Sequence, residues 1–375
     1  MHLRFINKGQ KGSKFYFPFF NTLLIGFQII LQIKIKLLKF HLFNIASGFR
    51  WYITSMVLPR IDNLEIRKVT EDILLVHQIK HPFFFSCCGG LLILPKKGRN
   101  KRIISLDLNI EQKYVNSLDE IYGPVSDYVV SHGHLDHTCH VHAWEEIGAT
   151  IHAPYPESKF LLNLRNFYQG FGFNEELDYE IVEDFATLNG YQKCKNINTF
   201  MPGETLNFER CTINTISLPG HSKAHIGFFL PDSKIFHISC LGFDKPNPEN
   251  EGFGPWYGFK EASILQYIKD IKKAEEIYIQ NAKFLTSSHS YIVNNPDLSP
   301  FEYMRTKIKD NQEKVDDALN SLDISKITEK DIIEKLLKMD LFFPKKKLKG
   351  VVYEIYRFWE SWIIRKHLQQ DVKFR

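Results

Sequence analysis

No aspartate or glutamate precedes Asp62, and residues 1–55 hold eight bases, from Arg4 to Arg50. That arm alone carries +8, residues 56–295 carry −6 and residues 296–375 carry +3, so the formal +5 of the 375-residue chain misdescribes its body. The acidic body is a weak argument against a nucleic-acid track, since phosphate binding is driven by clustered Lys and Arg. Cysteine is also scarce. Six are present, two of them adjacent (Cys87, Cys88), without the even spacing of a disulfide framework, which points to a reducing compartment. No G-x-S-x-G nucleophile elbow and no repeat of solenoid period occurs. With 44% apolar and 24% charged residues, a disordered, collagen-like or coiled-coil chain is excluded as well.

One uncharged run stands out, the 19 residues from Phe15 to Ile33, flanked by lysines. Its length is about that needed to span a bilayer, but Pro18, Asn21, Gln28 and Gln32 dilute it. Residues 1–55 therefore read as an extension ahead of a start near Met56, a cleaved transit segment, or a membrane anchor. The folded body is expected in the cytoplasm or mitochondria, with membrane contact only through residues 15–33 if they are retained.

After Pro59, short aliphatic runs separated by turns predict a strand meander (Ile73–Val76, Leu91–Leu94, Ile103–Leu108). Helical and strand signals then alternate, with helices at Ile110–Tyr122 and Val141–Ile147 and a longer one opened by Pro156 and reaching Gln169. Strands return at Thr205–Phe208, Thr212–Leu218, Gly227–Leu230 and Lys234–Ser239, followed by a helix at Ala262–Glu275 and a strand at Lys283–Thr286. Beyond Pro300 the pattern is helical, at about 301–320, 328–339 and 351–369, with Thr328 and Asp331 as an acidic capping box. The division expected is 1–55, 56–295 and 296–375.

The strand Tyr128–Ser131 runs directly into His132-Gly133-His134-Leu135-Asp136-His137. Imidazole nitrogen suits zinc and related ions, and carboxylate oxygen adds a second ligand type. In an extended loop His132 and His134 point the same way, while Asp136 and His137 can turn toward a neighbouring ion. One loop thus offers two ligand pairs for two metals. Five histidines within residues 132–142 make this pattern far more specific than a lone H-x-H.

This segment resembles the second motif of the metallo-β-lactamase superfamily, in its glyoxalase II-like hydrolase branch, and other motifs occur in order. A strand ending in aspartate precedes it (Ile103 to Asp107). Pro219-Gly220-His221, with His225-Ile226-Gly227 after it, matches the third, and Leu285 to His289 matches a final strand-to-histidine motif. The resemblance covers about residues 62–295. It implies an α+β fold, the αββα four-layer sandwich with metals at one edge, here with a helical or winged-helix-like C-terminal extension. It implies His132, His134 and His221 on one metal, and Asp136, His137 and His289 on the other. The family's bridging aspartate is replaced: aligning Ile235–Ser239 with the strand before it puts Cys240 there, with Asp244 as a second candidate. Zinc is the implied metal, two ions per chain, with iron or manganese as substitutes.

The function implied is a metal-dependent hydrolase in which a metal-bound hydroxide attacks a small acyl substrate, a thioester, ester or lactone. Asp136 would both ligate and orient the attacking water. The alternatives are a metal-dependent RNA or DNA nuclease, and a mononuclear iron dioxygenase relative or catalytically impaired metal-binding protein. The nuclease is served by the helical tail and its run Lys345–Lys347 with Lys349, which more commonly reads as a solvated loop. Cys139-His140 and the serines Ser288 and Ser290 replace family glycines, and their bulk is expected to narrow the approach to the ions. His140 and His142 read as groups behind the ligands or on a helix surface, and His152 and His237 as packed residues. Trp256 and Tyr257, in a glycine-rich stretch, read either as core aromatics beside a simple turn or as residues of the pocket mouth, apolar contacts for an acyl chain.

Overall fold

Two β-sheets face one another across an apolar layer in the computed structural model, which describes residues 58–95, 102–209, 211–323 and 328–370. The basic arm and the run Phe15–Ile33 lie outside the described residues. Among those described, no helix is long and apolar enough to cross a membrane.

The first sheet has the order β1 (Leu64–Lys68), β2 (Ile73–Gln78), β3 (Gly90–Ile93), β4 (Ile103–Leu106), β5 (Val125–Val129), β6 (Thr150–Pro154) and β7 (Asn198–Phe200). Strands β1 to β4 form an antiparallel meander, and β4 to β7 are parallel. Parallel neighbours need crossovers, which the helices Gln112–Tyr122, Val141–Glu146 and Tyr179–Leu188 supply. The second sheet consists of β8 (Thr205–Phe208), β9 (Cys211–Ser217), β10 (Ile226–Leu230), β11 (Ile235–His237), β12 (Phe284–Thr286) and β13 (Val293–Asn294), neighbours in that order. The helix Ile264–Asn281 carries the chain from β11 to its parallel neighbour β12.

Period-two alternation decides which layer each side chain enters. Ile73 and Leu75 join Ile104, Phe228 and Ile235 between the sheets. Leu74 and Val76 point the other way, to Val115, Leu118 and Trp144 of the first helical layer. On the far side Phe236 and Leu285 meet Tyr267, Ile271, Phe301 and Trp359. This is the αββα sandwich.

The tail helices Ser299–Asn320, Glu329–Leu337 and Gly350–Gln370 close the second helical layer. Among the described residues no strand accompanies them, so the helical form of the extension holds and the winged-helix form does not. The capping box at Thr328 and Asp331 is present, with Thr328 Oγ1 accepting from the Asp331 amide. In the basic run Lys346, Lys347 and Lys349 are exposed, as in a solvated loop, and Lys345 differs. Lys345 is buried, ion-paired with Glu360 and lying 2.9 Å from Asp340, so it is neither a solvated loop residue nor free for phosphate.

Elsewhere local chemistry overrides the pattern. The helix expected from Pro156 to Gln169 is two, Ser158–Leu162 and Leu164–Gly170, because Asn163 turns extended (φ −157°, ψ 120°) and caps the second by accepting from the Arg165 amide at 2.9 Å. The edge strand β1, absent from the expected strands, alternates Leu64-Glu65-Ile66-Arg67 over only four residues before Lys68 ends the pattern, and its charges are a usual edge composition.

Candidate metal centre

The strand ends β4, β5, β11 and β12 come together at one edge of the sandwich, and Asp107 ties them. It follows β4, is fully buried, and has a left-handed backbone (φ 59°). Its Oδ1 accepts the Ser131 amide at 3.0 Å from the loop after β5. Its Oδ2 accepts from Ser239 Oγ at 2.6 Å after β11 and from Ser288 Oγ at 3.0 Å after β12, and lies 3.0 Å from His137 Nδ1. One carboxylate thereby sets three ligand-bearing loops in register.

Past Ser131 the chain passes His132, Gly133 and His134 and turns into the short helix Leu135–Thr138. Only glycine fits at position 133, since a Cβ there would lie 2.6 Å from the Phe160 ring. Gly220 of the Pro-Gly-His loop is equally constrained: a Cβ would meet the Tyr267 backbone at 2.4 Å. The loops of these two glycines are joined by Glu157, buried between them, which accepts from the amides of Gly133 and Ala224 at 2.7 Å each and from Ser222 Oγ at 3.1 Å.

The rings of His132, His134 and His221 cluster with centroids 4.5–4.7 Å apart. His221 donates Nδ1–H to the Trp256 carbonyl (2.8 Å), which turns its Nε2 toward His132 Nε2, 3.1 Å away. Fixing one ring nitrogen so that the other faces a cation is how metal-binding imidazoles are oriented. Burial, reinforced by neighbouring histidines, holds His132 and His221 well below the usual imidazole range and His134 at about 3. All three are neutral, as ligation requires.

Beside them Asp136, His137, Cys240 and His289 present donor atoms within 4.8 Å of one another, and the Cys240 sulfur also lies within that distance of His132 and His221. His137 Nε2 is 2.9 Å from Cys240 Sγ and 3.4 Å from Asp136 Oδ2; His289 Nε2 is 3.2 Å from Asp136 Oδ2. Burial lowers the pKa of His137, but Asp107 and Cys240 outweigh it and raise it well above normal. His289 follows the same balance, with Cys240 and Asp136 raising it. Protons on these two imidazoles offset the neighbouring carboxylates where a cation would do so.

The residues fit divalent metal on two grounds. The donors are imidazole, thiol and carboxylate converging at two adjacent points, the chemistry of zinc-type sites. In addition His134 Nε2 is buried without a hydrogen-bond partner. A third convergence, Cys88 with Asp107 and His137, is accounted for by hydrogen bonding: Cys88 Sγ donates to the Asp107 carbonyl at 3.0 Å, and burial pushes its thiol up to about 11.

Among solved structures, the chain is similar to a metallo-β-lactamase family protein from Thermus thermophilus, with TM-score 0.55 and 14% identity over 83% of this chain and 95% of that one. It is likewise similar to a β-lactamase domain protein from Burkholderia ambifaria, with TM-score 0.56 and 11% identity over 82% of this chain and 90% of that one. This chain has the metallo-β-lactamase fold. No family model matches its sequence, and neither does any curated protein.

Within that fold, several expectations are corrected. Tyr257 is not at the pocket mouth: its hydroxyl lies 2.9 Å from His367 Nε2 and accepts from Asn311 Nδ2 at 2.9 Å. Trp256, its neighbour in the extended segment, does line the cavity. Cys139, His140, Ser288 and Ser290 are buried and absent from the cavity lining, so they do not narrow the approach; Ser288 is turned to Asp107 instead. His140 and His142 are buried rather than on a helix surface. His152 pairs with Asp127 at 3.0 Å, and His237 packs against Thr286 Oγ1 at 3.0 Å. Asp244 lines the cavity outside both donor groups, with one carboxylate oxygen buried and unpartnered.

Glu157 is a residue that sequence reasoning misses, because a carboxylate after Pro156 signals only a helix start. Glu157→Gln replaces an acceptor oxygen by an amide that faces N–H groups, and is expected to weaken metal binding by about 10- to 100-fold. Competition against a chromophoric chelator checks this; unchanged affinity would remove Glu157 from the loop-holding role.

Proposed function

We propose that the protein is a metal-dependent hydrolase of a small acyl substrate, an ester, thioester or lactone. The observation that carries this reading is the placement of the donors: His134, Asp136, His221, Cys240 and His289 all face a single cavity of about 600 Å3. His132, His134 and His221 would hold one ion, and Asp136, His137, Cys240 and His289 the other, zinc being best suited to a set with thiolate. When bound, such ions supply a water activated at neutral pH and polarise the carbonyl. The chain's own work is positional. Asp107 and the Trp256 carbonyl orient His137 and His221, and Asp136, at the cavity floor, would accept a hydrogen bond from the attacking water and so aim it.

Metal analysis by mass spectrometry together with p-nitrophenyl ester hydrolysis tests the reading. Two zinc ions per chain, and activity removed by chelator and restored by zinc, are expected; metal-independent hydrolysis, or no metal, would sink it. Cys240→Ser tests the shared sulfur separately. In the cobalt-substituted protein the near-ultraviolet thiolate-to-cobalt band should vanish and the metal count fall by one. An unchanged count would transfer that ligand role to Asp244.

A further inference from the structure

The cavity above the donor groups is built from aromatic rings. Ten of its twenty lining residues are Phe or Trp, and none is Lys or Arg. Its volume of about 600 Å3 falls within the range of small-molecule sites. The rings come from distant parts of the chain: Phe85 between β2 and β3, Phe173 and Phe185 between β6 and β7, Phe253 and Trp256 after β11, and Trp359 from the last helix. Phe85 holds a left-handed backbone (φ 55°), rare for a bulky side chain, and thereby sets its ring edge-on to Trp359 at 5.5 Å and to Phe253 at 5.9 Å. At the rim Phe84 and Phe253 stay 51% and 49% exposed, apolar surface that a bound apolar group would remove from water.

We propose that the group filling this cage is uncharged and apolar: the aryl or medium-chain acyl portion of an ester, thioester or lactone whose carbonyl reaches the donor groups. The assignment rests on the hydrolase reading for its carbonyl, and on the cage alone for its apolar part. A carboxylate or phosphate among these rings would lose its hydration and meet no lysine or arginine. A nucleic acid, which is held by rows of Lys and Arg, finds none here. The same holds for thioesters whose carrier or acyl end is anionic and must enter the cage.

The test titrates the full-length, metal-containing protein with octanamide and with its equally long analogue 7-carboxyheptanamide, following the fluorescence of Trp256 and Trp359. The two amides present the same head to the metals and differ only at the far end. Octanamide is expected to bind at least about tenfold more tightly. Phe253→Ala, at a half-exposed rim position that folding tolerates, is expected to weaken octanamide by about fivefold and leave the acid unchanged. Equal affinities, or a preference for the acid, overturn the proposal. Hydrolysis of p-nitrophenyl octanoate against the mono-p-nitrophenyl ester of suberic acid is read separately. Discrimination between the amides with neither ester hydrolysed upholds the apolar cage and overturns the hydrolase reading; cleavage of both esters at equal kcat/KM overturns the cage and upholds the hydrolase.

Discussion

Replacing Asp107 by alanine is expected to lower folding stability by roughly 3–5 kcal/mol, the cost of breaking a fully buried, charge-assisted network from one side. The side chain receives the Ser131 amide, the hydroxyls of Ser239 and Ser288 and His137 Nδ1–H, all within 3.0 Å. Alanine would strand these donors in a space from which water is excluded. It would also sit poorly at φ 59°, a conformation that Asp and Asn tolerate better than other side chains. Asp107→Asn keeps the backbone preference and one acceptor oxygen, so it should lose less. Urea denaturation of both variants measures the difference; a loss below about 1 kcal/mol for alanine would show that the three loops hold themselves.

The same network has a pH signature. Burial by itself raises the Asp107 pKa, but the charge and hydrogen bond of His137 and the hydroxyl of Ser239 outweigh it, so the carboxyl lies below its ordinary range. A depressed carboxyl contributes stability that is complete above its unfolded pKa of about 3.9 and disappears as pH falls through the lower, folded value. Acid unfolding of the wild type should therefore be steeper than that of Asp107→Asn.

The parts of this protein that can be read from sequence are those in which neighbours in the chain are neighbours in space. The loop His132 to His137 packs four donor side chains into six residues, and the strands Ile73–Gln78 and Ile103–Leu106 declare themselves by aliphatic runs. Asp107 is visible as a strand end, but not as the partner of Ser239 and Ser288, whose hydroxyls reach it only once two sheets have packed. Ser288 accordingly reads as an obstruction, which it is not. Trp359 looks like one residue of a packed stripe on the last helix, and it is packed; the same ring also walls the cavity, among Phe85 and Trp256 from distant parts of the chain. Lys345 carries the sequence signature of a solvated charge, and only the buried Glu360 facing it from the next helix reverses that. Periodicity reports which face of an element is apolar, and it is silent about what the opposing element brings to it.

His132→Ala should empty the three-histidine group while leaving the sandwich folded. The imidazole stands at the junction of the two donor sets: its Nε2 faces His221 Nε2 at 3.1 Å, and it lies within 4.8 Å of the Cys240 sulfur that the second set also uses. Its removal takes away one of three nitrogens that are neutral and ready to ligate; His225, whose Nδ1 donates to the Leu218 carbonyl at 2.9 Å and whose Nε2 is unpartnered, stands 5.1 Å away ring to ring, so His132→Ala/His225→Ala is made beside the single variant. The metal count should drop from two to one, with the group of Asp136, His137, Cys240 and His289 retaining its ion. Activity on p-nitrophenyl octanoate should fall by at least about a thousandfold, because the electrostatic assistance of a metal is worth several kcal/mol in the transition state. The far-ultraviolet circular dichroism and thermal midpoint distinguish this from unfolding. The two readouts also separate the roles of the two groups. Loss of one ion with full loss of activity makes the histidine group the reacting centre, whereas loss of one ion with activity intact would move the chemistry to the cysteine-containing group.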